Sequence, residues 1–139
     1  MKSELFEEFL DEFFFGEREE VMHYFAPDFS WRILGSKTVT PGASGVYKGL
    51  EGLQELISKV QGYARDYTTN ELAAYAVSDK TAVTITRSSY YDVKLAAHRD
   101  AEEVWVWIFR DGLISEVWDY NRLVHVQMIE NGERQETGY

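Results

Sequence analysis

The sequence has no cysteine among its 139 residues, and that absence excludes disulfides, thiolate nucleophiles and cysteine-ligated metal sites. It also fits a reducing compartment such as the cytoplasm. Histidine is scarce as well, because His23, His98 and His125 stand too far apart for the spacing of metal ligands. The chain has no glycine-rich phosphate loop and no nucleophile elbow. We therefore predict neither a metal site nor a cofactor.

Basic residues are few, with 14 Lys and Arg against 24 Asp and Glu and a net charge of -10. A chain of this charge repels phosphate backbones and anionic lipid surfaces, so nucleic acid and membranes are not expected partners. No apolar run approaches the roughly 20 residues of a membrane span. The first 15 residues carry acids where an export signal would carry basic residues. We therefore predict a cytoplasmic protein.

Aromatic residues are abundant by contrast, at 15% of the chain within a hydrophobic content of 45%. A length of 139 residues fits one domain with a self-sufficient core. So many rings in one small domain indicate either a large shaped cavity or a buried interface. We predict a single domain over residues 1–139, in which the polar tail at 130–139 is frayed.

The apolar periodicity changes along the chain from a helical repeat to a strand repeat. It predicts helices over 3–15, 18–25 and 50–63, and strands over 28–34, 68–77, 81–91, 97–110 and 113–123. Asp111-Gly112 between the last two strands is typical of a tight hairpin. Helices followed by a strand meander predict the α+β class with an antiparallel sheet. The long loop at 35–45 is suited to cover a pocket mouth.

The strand predicted at 97–110 is apolar on both of its faces. Side chains alternate along a strand, which gives one face with Glu103, Trp105, Trp107 and Phe109 and another with Val104, Val106 and Ile108. A sheet with one solvated face would show polar residues at every second position. One face therefore meets the helices and a cavity, and the other needs a separate cover. We predict a homodimer through that outer face, with a fold-back of the C-terminal segment as the alternative.

The last predicted strand places a carboxylate and an amide on one face, because Asp119 and Asn121 are two residues apart. If Tyr120 faces the partner subunit, these two side chains point towards the helices. A carboxylate buried there has to be paired, hydrogen-bonded or protonated. Asp119 is therefore our candidate catalytic acid or base, and Asn121 is our candidate for orienting a ligand. The alternative is a structural acid paired with Arg32, Arg122 or a backbone amide.

Further candidate ligand contacts share the inward face of the strands or lie on the first helix. Indole rings on the inward face can stack against a flat ligand, and their N–H groups need partners when buried. Glu103 lies on the same face and is a secondary candidate acid. The complete set of predicted ligand-binding residues is Asn121, Trp31, Trp105, Trp107, Glu103, Phe9, Phe13 and Tyr90.

Several local patterns occur in an order that resembles a known superfamily. The first helix ends in Gly16-Glu17 and is followed by residues 24–29 (YFAPDF), 47–53 (YKGLEGL) opening the third helix, and 111–116 (DGLISE) entering the last strand. Over residues 3–127 the chain resembles the nuclear transport factor 2-like, or ketosteroid-isomerase-like, superfamily, and within it the SnoaL-like proteins. The resemblance implies a cone-shaped α+β barrel, in which a curved antiparallel sheet wraps around the N-terminal helices and a third helix and leaves a deep pocket. It also implies frequent dimers.

The resemblance implies activities on apolar molecules, among them isomerases, cyclases, dehydratases and epoxide hydrolases, but its catalytic residues transfer poorly. Phe9, Ile33 and Trp105 stand where the ketosteroid isomerases have a tyrosine and two aspartates. In SnoaL-like cyclases the base position corresponds to Asn121, whose amide is no base at neutral pH. Asp119, two residues earlier on the same face, is the residue that can take over proton transfer.

Three functional hypotheses stay open from the sequence. The first is a cofactor-independent enzyme that binds a small, mostly apolar molecule and moves a proton with Asp119. The second is a non-catalytic binding module that captures such a molecule. The third is a dimeric association domain whose cavity is filled by its own aromatic side chains, and a measured cavity volume separates it from the other two.

Overall fold

Two α-helices and one 3₁₀ helix pack against a seven-stranded sheet in this computed structural model, which describes the backbone of residues 1–35, 42–130 and 133–138. Side chains are described for the same residues except 74–76, 122–130 and 133–138. The helices are α1 (Ser3–Phe15), the 3₁₀ helix (Arg18–Tyr24) and α2 (Gly49–Gln61). The strands are β1 (Phe25–Leu34), β2 (Gly45–Lys48), β3 (Ala64–Val77), β4 (Thr81–Asp92), β5 (Ala97–Arg110), β6 (Leu113–Glu130) and β7 (Glu133–Gly138).

The strand order is β2-β1-β6-β5-β4-β3, and β7 also pairs with β6. Consecutive strands from β3 to β6 are antiparallel neighbours, as the strand meander predicts. The sheet is curved, and in the described part of the chain no pairing joins its two edges, β2 and β3. The predicted α+β cone is confirmed at the level of the fold, as an open curved sheet rather than a closed barrel.

The pairing of β1 with β6 corrects the prediction of an antiparallel sheet. These two strands run parallel, with Trp31 opposite Val117 and Ile33 opposite Asp119, so the sheet is mixed. The chain leaves β1, forms β2, α2 and the whole meander, and returns beside β1 in the same direction. Antiparallel hairpins can be predicted from the short turn sequences between their strands, whereas a parallel pairing of distant strands has no local sequence signal.

The C-terminal residues also differ from the prediction. Instead of a frayed tail, residues 133–138 form β7, which pairs antiparallel with residues 125–130 of β6. β6 itself continues to Glu130, well beyond the predicted end at 123. The signal in the sequence is Asn131-Gly132, a dipeptide typical of two-residue hairpin turns. Of the predicted loop at 35–45, residues 36–41 lie outside the described residues, and 45 already begins β2.

The core lies between α1 and the concave face of the sheet. α1 forms over apolar residues at helical spacing, and it buries Phe6, Phe9, Leu10 and Phe13. The ring of Trp107 on β5 contacts the Phe6 and Phe9 rings edge-on, with centroid distances of 5.5 and 5.4 Å. Full burial of one such side chain stabilises the fold by roughly 1.5–3 kcal/mol. This aromatic cluster therefore fixes α1 against β5, and it forms the floor under the candidate site.

Two glycine positions shape the framework around the site. Gly112 (φ +76°) follows Asp111 (φ +53°) in the turn between β5 and β6, and two positive φ angles are what a tight hairpin turn requires. Gly52 lies where a Cβ atom would come within 2.9 Å of the Tyr47 backbone. α2 can therefore approach β2 closely only because residue 52 has no side chain.

Candidate functional site

A cavity of about 320 Å³ lies between the two α-helices and the concave face of the sheet. Its walls are largely aromatic on the α1 side, with Phe13, Phe14, Trp31 and Trp105. On the opposite side α2 contributes aliphatic side chains, namely Leu53, Leu56, Ile57 and Val60. Such a volume is at the lower end of the roughly 300–1,000 Å³ of small-molecule sites. The cavity is therefore not filled by the protein's own aromatic side chains.

The cavity brings most of the predicted site residues together. Those that line it are Asp119, Asn121, Trp31, Trp105, Glu103, Phe13 and Tyr90. Phe9 and Trp107 are both 0% exposed and lie behind the wall, in the aromatic core. Helical and strand periodicity identified both residues as inward-facing. Periodicity carries no information on depth, so it did not separate the core from the lining.

Strand alternation and register place the acidic residues next to each other. In the pairing of β5 with β6, Glu103 is opposite Asn121 and Trp105 is opposite Asp119. All four side chains therefore project from the same, concave face of neighbouring strands. Glu103 and Asp119 are diagonal neighbours on this face, and they are only 3% and 4% exposed. Two carboxyl groups thus lie together inside an apolar cavity.

Asp119 is held by an amide and is not paired with the basic residue on its neighbouring strand. The Asn121 Nδ2 donates a hydrogen bond of 2.8 Å to Asp119 Oδ1. Arg32 lies over the Trp118 ring, 4.8 Å from its centroid, and forms no ion pair with Asp119. The side chain of Arg122, the other predicted partner, lies outside the described residues. Burial, and next the charge of Glu103, raise the pKa of Asp119 well above its usual value and so favour the protonated form of this carboxyl group.

The pKa of Glu103 is close to neutral pH. Burial raises its pKa to about 7, while hydrogen bonds from Tyr67 and Asp119 and the positive charge of Arg18 partly oppose that rise. The Tyr67 hydroxyl donates a hydrogen bond to Glu103 Oε1. Tyr67 is 41% exposed overall, yet its hydroxyl end is buried beside Glu103, and that burial raises its own pKa well above the usual 10. Tyr67 is therefore a hydrogen-bond donor throughout the physiological range.

Tyr67 and Arg18 are site residues that the sequence did not identify. The register of β3 against β4 shifts between Arg65 and Thr68, and Asp66 within the shift has a φ of +56°. A β-bulge of this kind changes the direction of the following side chain, here Tyr67. Arg18 begins the 3₁₀ helix, in an acidic stretch whose pattern indicates a solvated surface. Neither position carries a periodicity that points into a cavity.

Solved structures with the same architecture identify the fold. The structure is similar to that of an NTF2-like protein from Burkholderia xenovorans, with a TM-score of 0.67 and 15% identity over 86% of this chain and 87% of that one. TerC, co-crystallized with polyporic acid, matches with a TM-score of 0.66 and 17% identity over 84% and 87% of the two chains. The chain has the NTF2-like fold.

A third match carries the other name of the same fold. It is a protein with a ketosteroid isomerase-like fold from Catenulispora acidiphila, in complex with trimethylamine, with a TM-score of 0.62 and 11% identity over 86% of each chain. No family model and no curated protein matches the sequence. At these identities the likeness establishes the fold, and the SnoaL-like subgroup stays a prediction.

In this NTF2-like fold, β4 supplies hydroxyl groups to the buried indoles of β5. Trp105 Nε1 donates to Thr86 Oγ1 at 2.7 Å, and Trp107 Nε1 donates to Thr84 Oγ1 at 2.9 Å. The need of buried indoles for partners is thereby met within the sheet. The indole of Trp31 is different, because its N–H group has no partner of regular hydrogen-bond geometry in the described part of the structure. This N–H group lies close enough to Asp119 to lower the pKa of that carboxyl group.

A buried ion pair lies beside Tyr90, in the wall of the NTF2-like cavity. Arg99 Nε lies 3.3 Å from Asp92 Oδ2, and both side chains are almost completely buried. Asp92 Oδ1 also accepts hydrogen bonds from the backbone N–H groups of Lys94 and Leu95, at 2.9 and 3.1 Å. Arg99 in turn hydrogen-bonds Tyr90 and opposes the rise in the pKa of that phenol that burial causes. The pair therefore positions a cavity-lining tyrosine.

Within the described residues, no cluster of three or more His, Asp or Glu side chains is arranged to hold a metal ion. No helix in the described ranges is long and apolar enough to cross a membrane. The described lining of the cavity includes two carboxyl groups, their amide and phenol partners and one guanidinium group.

Proposed function

We propose that the protein is a cofactor-independent enzyme that binds a small, mostly apolar molecule in the cavity and transfers a proton within it. The observation that supports this function is the placement of two carboxyl groups, Glu103 and Asp119, on adjacent strands inside an aromatic cavity. Groups whose pKa values are strongly shifted by burial in a cleft mark candidate catalytic sites. Proton transfer by a positioned side chain contributes typically 10²- to 10⁴-fold to a rate.

The two acids have complementary roles in this proposal. Asp119, whose pKa is raised well above its usual value by burial, acts as the acid towards a ligand oxygen. Glu103, whose pKa is about 7, is poised to accept a proton under the same conditions. Asn121 orients the Asp119 carboxyl through its hydrogen bond to Oδ1, and Tyr67 orients Glu103. Such an acid and base pair suits an enolisation or isomerisation next to a carbonyl group.

The ligand class follows from the lining. A cavity of about 320 Å³ bounded by Trp31, Trp105 and Phe13 suits a ligand of one or two rings. Trp31 and Trp105 meet edge to face, with centroids 5.5 Å apart, which gives a flat ligand two differently oriented walls. TerC, a structural neighbour with a TM-score of 0.66, was co-crystallized with polyporic acid, which supports a small-molecule ligand for this protein.

The test is hydrogen exchange in an enolisable ring ketone. The wild-type protein is expected to accelerate deuterium uptake at C2 of 1-tetralone in D₂O. The uptake is measured by proton NMR as the loss of the C2 proton signal. Asp119→Asn is expected to reduce the catalysed rate at least about 100-fold while ligand binding persists, because the amide has no proton of suitable acidity. The matched control is Asp111→Asn, the same change in an exposed turn, where the rate should not change. Equal rates in wild-type and Asp119→Asn protein would reject the assignment.

A non-catalytic binding module is the second candidate function. It is favoured by the hydrogen bond that already engages Asp119 with Asn121, because a satisfied buried acid also serves as a fixed ligand contact. In that case ring compounds that raise the melting temperature are recovered unchanged by mass spectrometry. A compound whose protons exchange with solvent only in the presence of the protein would support the enzyme and reject the binding module.

We also propose that the protein forms a homodimer in the cytoplasm through the outer face of the sheet. The outer face of the sheet is only partly buried in a single chain. Its half-buried side chains are Val104, Val106 and Ile108 on β5 and Trp118 on β6, and Tyr120 is 41% exposed. These side chains lie on two adjacent central strands and form one continuous apolar surface. A surface of this kind is self-complementary across a twofold axis, which makes a second copy of the chain the simplest cover.

A further inference from the structure

Arg18 brings a positive charge to the cavity wall. Its guanidinium carbon lies 4.6 Å from the centroid of the Phe13 ring, so the planar group packs on an aromatic face beside the ligand space. The residue as a whole is exposed at the start of the 3₁₀ helix. This arrangement fixes the position of the charged group and leaves its edge accessible from the cavity.

The hydrogen-bonding capacity of Arg18 is not used within the described structure. It forms no ion pair and no hydrogen bond with any described residue, although it interacts electrostatically with Glu103 and Tyr67. The hydrogen bond to Glu103 Oε1 comes from Tyr67 instead. A guanidinium carries five N–H donors in a rigid fork that matches the two oxygens of a carboxylate.

Other described basic residues near the site are engaged elsewhere. Arg99 is paired with Asp92 behind the cavity wall. Lys59 contacts Glu55 at 3.4 Å and donates to the Tyr47 hydroxyl at 3.2 Å. Among the described residues that line the cavity, Arg18 is thus the one basic side chain. In a chain with a net charge of -10, a lone cation at a ligand cavity determines which end of an anionic ligand is held there.

We propose that Arg18 is the anchor for a carboxylate group of the ligand, so that the cavity takes the anion of a small aromatic or cyclic carboxylic acid. The inference rests on the proposed ligand-binding function of the cavity and names the substrate class. The carboxylate forms a forked pair of hydrogen bonds with Arg18, and the ring lies against Trp31 and Trp105. The far end of the ligand then meets Asp119, because Glu103 lies on the Arg18 side of the cavity.

The test compares two ligands of nearly the same shape and different charge, 2-naphthoate and 2-naphthamide, by isothermal titration calorimetry. The wild-type protein is expected to bind 2-naphthoate at least tenfold more tightly. Arg18→Gln is expected to abolish this preference while the affinity for 2-naphthamide changes less than about threefold. Arg18→Lys is expected to restore part of the preference, because a lysine supplies the charge without the fork.

The matched control is Arg65→Gln. Arg65 is also exposed and lies over an aromatic ring, 4.9 Å from the Tyr91 centroid, but it does not line the cavity. This variant should keep the wild-type preference. Equal affinities of wild-type protein for the two ligands, or a preference that survives in Arg18→Gln, would overturn the anchor and leave the proton-transfer proposal standing. Failure of both ligands to bind would overturn the anchor together with the proposed cavity function, whereas binding with no exchange in 1-tetralone would reject only the enzyme.

Discussion

Tyr67 and Glu103 are 36 positions apart in the chain, and the hydroxyl of the first donates a hydrogen bond to the carboxyl of the second inside the cavity. The contact spans β3 and β5, which are separated by β4 in the sheet. A phenol that donates to a buried carboxylate stabilises the ionised form and thus lowers the pKa of the acid. The proton affinity of Glu103 therefore depends on the bulge that directs Tyr67 inward.

Removal of this hydroxyl should make Glu103 a weaker acid. In Tyr67→Phe the pKa of Glu103 is expected to rise further above 7, by on the order of one unit, since the opposing hydrogen bond is lost while burial remains. The measurement is a carbon NMR titration of the glutamate carboxyl groups. Tyr91→Phe, on the neighbouring strand and outside the cavity lining, serves as control. An unchanged midpoint in Tyr67→Phe would contradict the role of this phenol.

The stability of the protein should depend on pH through Glu103. Its pKa is raised from 4.5 to about 7 by folding, so between these values the folded state holds a proton that the unfolded state has released. The contribution of Glu103 to the free energy of unfolding is fully present below about pH 4.5, and it is lost as the pH rises towards 7. The loss amounts to up to roughly 3 kcal/mol. Asp119 acts in the same direction, because its pKa is also raised.

Urea unfolding at pH 5 and pH 8 checks this dependence. Glu103→Gln should lose less stability than the wild type between the two pH values, because the amide does not titrate. Glu102→Gln is the matched control, since Glu102 neighbours Glu103 on β5 but projects from the other face and contacts Arg87 at 3.7 Å. An identical pH response of wild type and Glu103→Gln would show that Glu103 keeps an ordinary pKa.

Phe9 should prove to be a core residue and not a ligand contact. Phe9→Ala removes a completely buried ring that packs on Phe6, Phe13 and Trp107, and it is expected to cost about 3–5 kcal/mol of unfolding free energy. Phe15→Ala, on the same helix at 56% exposure, should change stability by less than about 0.5 kcal/mol. Denaturant titration distinguishes the two. A loss below about 1 kcal/mol for Phe9→Ala would contradict the observed packing.

The proposed dimer should depend on the outer face of the sheet. Tyr120→Asp places a charge at an exposed position of that face and is expected to convert the dimer to a folded monomer. Light scattering after gel filtration gives the mass, which for the wild type should be twice that of one chain. Leu95→Asp, at 52% exposure in the turn after β4, should leave the dimer intact. A monomeric wild type, or a Tyr120→Asp variant that remains dimeric, would refute this interface.

Sequence periodicity was sufficient where a strand is regular. The alternation along 103–109 predicts that Glu103 and Trp105 face inward, and the same rule predicts this for Asp119 and Asn121 on the last strand. All four residues line the cavity in the structure. These positions follow from one physical fact, the opposite orientation of successive side chains in a strand. Both carboxyl groups were consequently recognisable from the sequence.

The missed features arise where the backbone departs from regular repeats or where distant segments meet. Tyr67 follows a bulge at Asp66, and a bulge shifts the alternation without changing residue types. The parallel pairing of β1 with β6 depends on the whole intervening chain. β7 was missed because its residues are polar, although Asn131-Gly132 is a turn signal.

The edge-to-face contact between Trp31 and Trp105 has a practical consequence. Two of the four indole groups in the chain form the wall of the cavity, while Trp107 is fully buried behind them. Any molecule that enters replaces the immediate surroundings of these two fluorophores. Intrinsic emission thus provides a direct optical signal of occupancy, so ligand libraries can be screened on the unlabelled protein.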